Sequence, residues 1–238
     1  MSKVFQLGAW ALFAISLQAC SAKYPTHEGN AMNWWPTASE KLALELARTA
    51  EASCADPTQC NESVALLTVA EGTGVRMCTG FLIGEDVLAT NSHCIPENLR
   101  ASGSACKNQI WALFPENGGL KKSRVSCALI LDAATLPQNT SLNERDYAFL
   151  RLEHAPGRAA IGIDRSGLSD EQDVSIVKVD PVESYGGDLI RGSLTQTLCK
   201  VTQGSALTPK FNHPKRANVS LSDCLINEAN SGAPILSD

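Results

Sequence analysis

A serine at position 231 sits among small residues, in the run Ala229-Asn230-Ser231-Gly232-Ala233-Pro234. Small neighbours let a substrate backbone come close, and they permit a tight turn that aims amide N–H groups at one point. A serine hydroxyl is a weak nucleophile by itself and needs a neighbouring base. Upstream, Leu88-Ala89-Thr90-Asn91-Ser92-His93-Cys94 ends an apolar run with an imidazole, and Arg145-Asp146-Tyr147-Ala148-Phe149-Leu150 opens an alternation with a carboxylate. Together they would support acyl transfer. Ser231 attacks a carbonyl carbon, His93 takes its proton and returns it to the leaving group, and Asp146 fixes the ring. Each residue has an ordinary alternative: a packed surface histidine, an aspartate at a strand start, a serine in a turn. The joint order His, Asp, Ser carries the reading. His27, His154 and His213 lack comparable neighbours and read as surface residues.

Such residues need elements to hold them. From Ser63 onward the apolar pattern takes the period of strands, over residues 64–69, 75–83, 87–90, 109–114, 124–131 and 147–152. About six short strands suffice for one closed antiparallel barrel. Residues 153–169, with their Gly, Pro and Arg, read as a crossing to a second half, where 174–179, 192–201 and 219–225 alternate again. Ahead of the strands, Thr37-Ala38-Ser39-Glu40 fits a capping box. It predicts a helix over 41–52 that packs on the domain, with Leu42, Leu46 and Ala50 at helical spacing.

The three motifs, taken in order, resemble those of the trypsin/chymotrypsin family of serine peptidases. The family surrounds its histidine with Thr-Ala-Ala-His-Cys, against Thr90-Asn91-Ser92-His93-Cys94 here. Its aspartate heads Asp-Ile-Ala-Leu-Leu, against Asp146-Tyr147-Ala148-Phe149-Leu150, and its serine lies in Gly-Asp-Ser-Gly-Gly-Pro, against residues 229–234. The resemblance runs from Ser63 to the C-terminus. It implies an all-β protein of two antiparallel six-stranded barrels, with a short N-terminal helix ahead of them. It also implies a cleft holding His93, Asp146 and Ser231, an oxyanion held by the N–H groups of Ala229 and Ser231, and a disulfide Cys78–Cys94 beside the histidine. The implied activity is that of an endopeptidase on polypeptide substrates, with no cofactor. Ala229 departs from the family's glycine, at a position where the backbone often needs a conformation easiest for glycine. Asn230 replaces the aspartate that in digestive relatives pairs with a newly cut N-terminus, so activation by that ion pair is not expected. The sequence ends seven residues after Ser231, where the family continues with two more strands. The second barrel is therefore expected to be incomplete, closed differently or filled by an unknown complementing chain. The expected division is a leader over 1–19, a tether and helix over 20–60, one barrel over 61–155 and the incomplete one over 156–238. The alternative is a pseudopeptidase of the same fold that serves as a binding lipoprotein. An esterase is disfavoured, because Gly-x-Ser-x-Gly is missing and His precedes Ser, opposite to α/β-hydrolase order.

Composition sets the compartment and excludes some partners. With 238 residues, 44% of them hydrophobic and 19% charged, the chain can build one large domain or two small ones. A net charge of −5 gives no strong attraction to nucleic acid. No cysteine or histidine spacing suggests a metal site. Lys3 followed by the apolar stretch 4–17 reads as an export leader, and Leu17-Gln18-Ala19-Cys20 resembles the lipobox of bacterial lipoproteins. Cys20 would then carry the lipid anchor that holds the protein on a membrane, and Ser21 after it suggests the outer membrane or cell surface. The alternative is cleavage after Ala19 and a soluble secreted product. Of nine cysteines, setting Cys20 aside leaves eight, an even number suited to disulfides outside the cytoplasm. Beyond Cys78 and Cys94, six cysteines allow about fifteen connectivities. Local pairing (Cys54–Cys60, Cys106–Cys127, Cys199–Cys224) is the expectation.

Overall fold

The computed structural model describes residues 37–134, 146–163, 169, 171–182, 189–203, 219–226 and 229–237. The leader, Cys20, the tether, His27 and His213 lie outside them. A helix, α1 (Ala38–Thr49), and a short strand, β1 (Glu51–Cys54), come first. Six strands follow: β2 (Val64–Glu71), β3 (Gly74–Leu82), β4 (Val87–Thr90), β5 (Ile110–Phe114), β6 (Ser123–Ala133) and β7 (Ala148–Leu152). They close an antiparallel barrel in the order β2-β3-β4-β7-β6-β5.

β2 explains much of the packing. Ala65, Leu67 and Val69 point into the barrel with Leu88, Ile110, Phe114 and Leu150. Val64, Leu66 and Ala70 point outward, yet they too are buried, against Ala47 of α1 and against Val177, Val179 and Leu194. A strand covered on both faces reads as a continuous apolar run, and β2 does so: Val64-Ala65-Leu66-Leu67 are all inaccessible to solvent. Each such large side chain contributes about 1.5–3 kcal/mol relative to exposure.

α1 has the capping box read from its sequence: Glu40 N–H donates to Thr37 Oγ1 at 3.2 Å and Thr37 N–H to Glu40 Oε2 at 2.7 Å. Its buried face meets the expected one only at Ala50. Ala43, Ala47 and Ala50 face the barrel, while Leu42 is 59% exposed. The reason is proximity: Thr68 Oγ1 of β2 donates to the Ala47 carbonyl at 2.9 Å. A backbone held that close to a sheet favours methyl groups at the centre of the contact, and Leu44 packs at its margin.

The second half is a half-barrel sheet built from β8 (Asp173–Val182), β9 (Arg191–Gln203), β10 (Val219–Ser222) and β11 (Ile235–Leu236), with β1 as its fifth strand. The order is β1-β9-β8-β11, and β10 also pairs with β9. The molecule is thus mostly β, as expected, with one closed barrel, one open sheet and one helix. One pairing was not expected. β1 runs parallel to β9, from Glu51 opposite Arg191 to Cys54 opposite Leu194.

The crossing between the halves is strapped to the barrel. Arg158, only 8% exposed, donates through Nη2 to the carbonyls of Pro115 (2.6 Å) and Lys121 (2.9 Å) and lies 5.4 Å over the Phe114 ring. Ser63 Oγ donates to the Ala159 carbonyl, and Ile161 N–H to that of Leu82 at 2.8 Å. Disulfides join Cys54 to Cys60, Cys78 to Cys94, Cys106 to Cys127 and Cys199 to Cys224.

Candidate active site

The imidazole is fixed from several sides. β4 ends at Thr90, and one 3-10 turn, Ser92–Cys94, carries His93. The Cys78–Cys94 bond ties this turn to β3, and the Arg76 guanidinium donates to the His93 carbonyl. Asp146 lies two residues before β7, and β7 pairs with β4 so that Thr90 stands opposite Ala148. That pairing delivers the carboxylate to the ring: His93 Nδ1 is 2.6 Å from Asp146 Oδ2. The other oxygen, Oδ1, accepts from Ser92 Oγ at 2.9 Å and from His93 N–H at 3.0 Å. Asn91 Nδ2 donates to the Asp146 carbonyl at 2.6 Å.

Partial burial pushes the Asp146 carboxyl up. The His93 N–H, the His93 ring, the Ser92 hydroxyl and the imidazole charge outweigh it, and the group lies below the usual carboxylate range. An ionised carboxylate only accepts, so Nδ1 carries the proton facing it.

The serine lies in a turn held by β3 and β8. Ser231 C=O accepts from Thr79 N–H at 2.8 Å, and Ala229 C=O accepts from Thr79 Oγ1 at 3.0 Å. Asn230, 5% exposed, donates through Nδ2 to the Val179 carbonyl at 2.6 Å and to Asp180 Oδ1 at 3.1 Å. Gly232 has φ +87°, and a Cβ there would collide with the Thr79 carbonyl oxygen and with Thr90 Oγ1. Only glycine fits that approach. Ala229, in place of the expected glycine, has φ +71°, a left-handed conformation that costs an L-residue about 1–2 kcal/mol.

His93 and Ser231 line one cleft of about 580 Å³, together with Ala229, Met77, Arg76 and Glu71. His93 and Asp146 are in direct contact, and Ser231 shares the cleft wall. Among the described residues no hydrogen bond joins the Ser231 hydroxyl to the His93 ring. His154 is exposed and lies outside the cleft. The described residues contain no cluster of His, Cys, Asp or Glu able to hold a metal ion, and no helix long and apolar enough to cross a membrane.

Sequence reasoning missed the supports. Ser92 and Asn91 were visible only as neighbours of His93. Thr79 looked like an ordinary strand threonine, and Thr90 was visible only as part of the histidine motif. Lys178 and Asp180 left a faint signal. They stand two apart on β8, on the same face as Val174 and Ile176, and opposite charges on one apolar face suggest a partnered pair.

A closed antiparallel barrel beside a half-barrel sheet, with a histidine–aspartate pair and a serine turn on one cleft, defines a protein of chymotrypsin-like architecture. The chain belongs to the trypsin-like peptidase domain family, whose profile matches residues 78–238. Among solved structures it is similar to mouse brain neuropsin, a serine protease expressed in the limbic system, at 14% identity and TM-score 0.54. That match covers 78% of this chain and 81% of the other. It is also similar to the scabies mite inactivated protease paralogue S-I1, at 14% identity and TM-score 0.55, over 79% of this chain and 82% of the other. A structure of GrC matches at 13% identity and TM-score 0.55, over 78% and 82%. At these identities the likeness concerns the fold. No curated protein sequence matches the chain. The four disulfides suit an oxidising compartment outside the cytoplasm.

Proposed function

We propose that the protein is an exported serine endopeptidase that cleaves peptide bonds through an acyl-enzyme. The observation that carries this reading is the His93–Asp146 contact on a cleft that Ser231 also lines, in a chain of the trypsin-like peptidase domain family. Ser231 Oγ attacks the scissile carbonyl carbon as its proton passes to His93 Nε2. The C–O bond of the tetrahedral intermediate forms as the carbonyl π pair moves onto oxygen. Ala229 and Ser231 N–H groups hold that oxyanion, and loss of one such donor costs about 3–4 kcal/mol of transition-state stabilisation. His93 then protonates the departing amine, the C–N bond breaks, and water repeats the sequence to release the acid. Asp146 holds the ring in the Nδ1–H tautomer and stabilises the imidazolium. No cofactor enters this scheme. The Leu17–Cys20 motif supports attachment to a bacterial membrane through lipid on Cys20.

A second reading, a pseudopeptidase that binds polypeptide without cutting it, is favoured by one observation. Ala229 occupies a left-handed conformation, and strain there would turn an oxyanion donor away. The two readings separate in one experiment. The purified, folded protein and its Ser231→Ala variant are treated with a fluorophosphonate probe and with casein. Labelling and cleavage by the wild type alone are expected. Folded wild type that neither labels nor cleaves would leave the binding reading.

A further inference from the structure

The turn that carries Ser231 is tied to a part-buried charge pair. Lys178, on β8, has a side chain only 4% exposed, and its Nζ lies 2.6 and 2.7 Å from the two carboxylate oxygens of Asp180. Asp180 Oδ2 also accepts from Thr195 Oγ1 of β9 at 2.6 Å, and Oδ1 from Asn230 Nδ2 at 3.1 Å. An isolated buried ammonium is strongly unfavourable, so Lys178 holds the carboxylate in place. Asn230 in turn points its amide nitrogen at two acceptors, the Val179 carbonyl and Asp180. Each of its two hydrogens therefore has a partner, which fixes which end of the amide faces β8. Burial raises the Asp180 carboxyl, but Lys178, Thr195 and Asn230 outweigh it and hold the group below the ordinary range.

Asn230 is the residue between the two expected oxyanion donors. Its backbone neighbour Ala229 lies in a conformation that alanine avoids, so the turn needs external restraint. Thr79 supplies it on the β3 side, through bonds to the Ala229 and Ser231 carbonyls. We propose that the Lys178–Asp180 pair supplies it on the β8 side. Acting through Asn230, the pair positions residues 229–232 so that Ser231 and the two amide donors face the cleft. This rests on the hydrolytic reading of Ser231. The charge that orders the turn belongs to the sheet itself, so the turn forms without any cut in the chain. Lys178 and Asp180 are positioning residues and touch no substrate.

Two double variants of the full chain separate positioning from stability. Lys178→Met with Asp180→Leu replaces the pair by apolar groups and strands no charge, an exchange that buried ion pairs often tolerate. It removes the Asp180 acceptor of Asn230 and leaves the bond to the Val179 carbonyl. Lys178→Met with Asp180→Asn is also neutral but keeps an oxygen for Asn230. The rate of Ser231 phosphonylation by a fluorophosphonate is measured beside Tm and the amide hydrogen exchange of a peptide spanning 229–234. In the Leu variant, labelling is expected to slow about 10- to 100-fold, as misplacement of reacting groups by up to about 1 Å can do. Exchange should be faster while Tm is retained. In the Asn variant, labelling should stay within about threefold of wild type. Equal labelling and exchange in both variants at the wild-type level would overturn the proposal. Asn230→Ala cuts the link and keeps the pair, and so decides the matter if the Leu variant does not fold. Slow labelling and fast exchange support the link, and unchanged values overturn it. If wild type is not labelled at all, the hydrolytic reading has failed. The exchange comparison then still decides whether the pair orders the turn.

Discussion

Gly232→Ala offers a sharp test of how the serine turn is built. The added methyl would meet the Thr79 carbonyl oxygen and Thr90 Oγ1, two atoms already joined by a hydrogen bond of 2.8 Å, at a residue with φ +87°. The left-handed conformation costs alanine about 1–2 kcal/mol. Forcing a methyl into a packed site adds about 1–3 kcal/mol. The expected loss is thus about 2–5 kcal/mol. Gly119 supplies an internal control: its φ is also +87°, but nothing lies within 4 Å of its would-be Cβ. Gly119→Ala should lose only the conformational part, about 1–2 kcal/mol. Urea denaturation of both variants with equal m-values would measure the difference. Fluorophosphonate labelling should be lost in Gly232→Ala, because the Thr79–Ser231 contact cannot survive the displacement, and should persist in Gly119→Ala. Equal destabilisation of the two variants, with labelling intact in both, would refute the close approach on which the argument depends.

Arg158→Met should destabilise the protein by about 1–3 kcal/mol, since it leaves the buried Pro115 carbonyl without its donor and removes the part-buried bond to Lys121. An unshifted urea midpoint would mean that the crossing is not a strap. Acid should act through Asp180, whose carboxyl in the folded protein lies below its ordinary value. The folded state therefore binds fewer protons than the unfolded one. The contribution is complete above the unfolded carboxylate pKa and is lost as pH falls through the depressed one. Denaturation midpoints followed from pH 6 downward should fall more steeply in wild type than in the Lys178→Met, Asp180→Asn variant, and parallel curves would count against that linkage.

The barrel was legible because its strands are short, apolar and separated by polar turns. β4 spans the stretch read from the sequence, Val87–Thr90. The helix was legible at its start, where Thr37 and Glu40 cap it, but its buried face was not. Leucine carries the hydrophobic signal, while the close approach of Thr68 to Ala47 selects alanine, and nothing local announces a partner 21 residues away. β1 escaped notice because Glu51-Ala52-Ser53-Cys54 holds no large apolar residue, and its partner lies far along the chain. His93, Asp146 and Ser231 were found by type, neighbours and order. Their supports, Ser92, Thr79 and Asp180, are ordinary residues whose roles come from geometry across strands. A sequence read one element at a time does not contain that geometry.

The pairing of Glu51–Cys54 with Arg191–Leu194 makes the second sheet a seam sewn from stretches far apart in the chain. During synthesis this early ribbon has no mate until β9 emerges, long after the barrel's own strands have theirs. Contacts so remote in sequence form slowly. The seam should therefore close late, and the interval before it closes is when a newly made chain is most open to proteolysis.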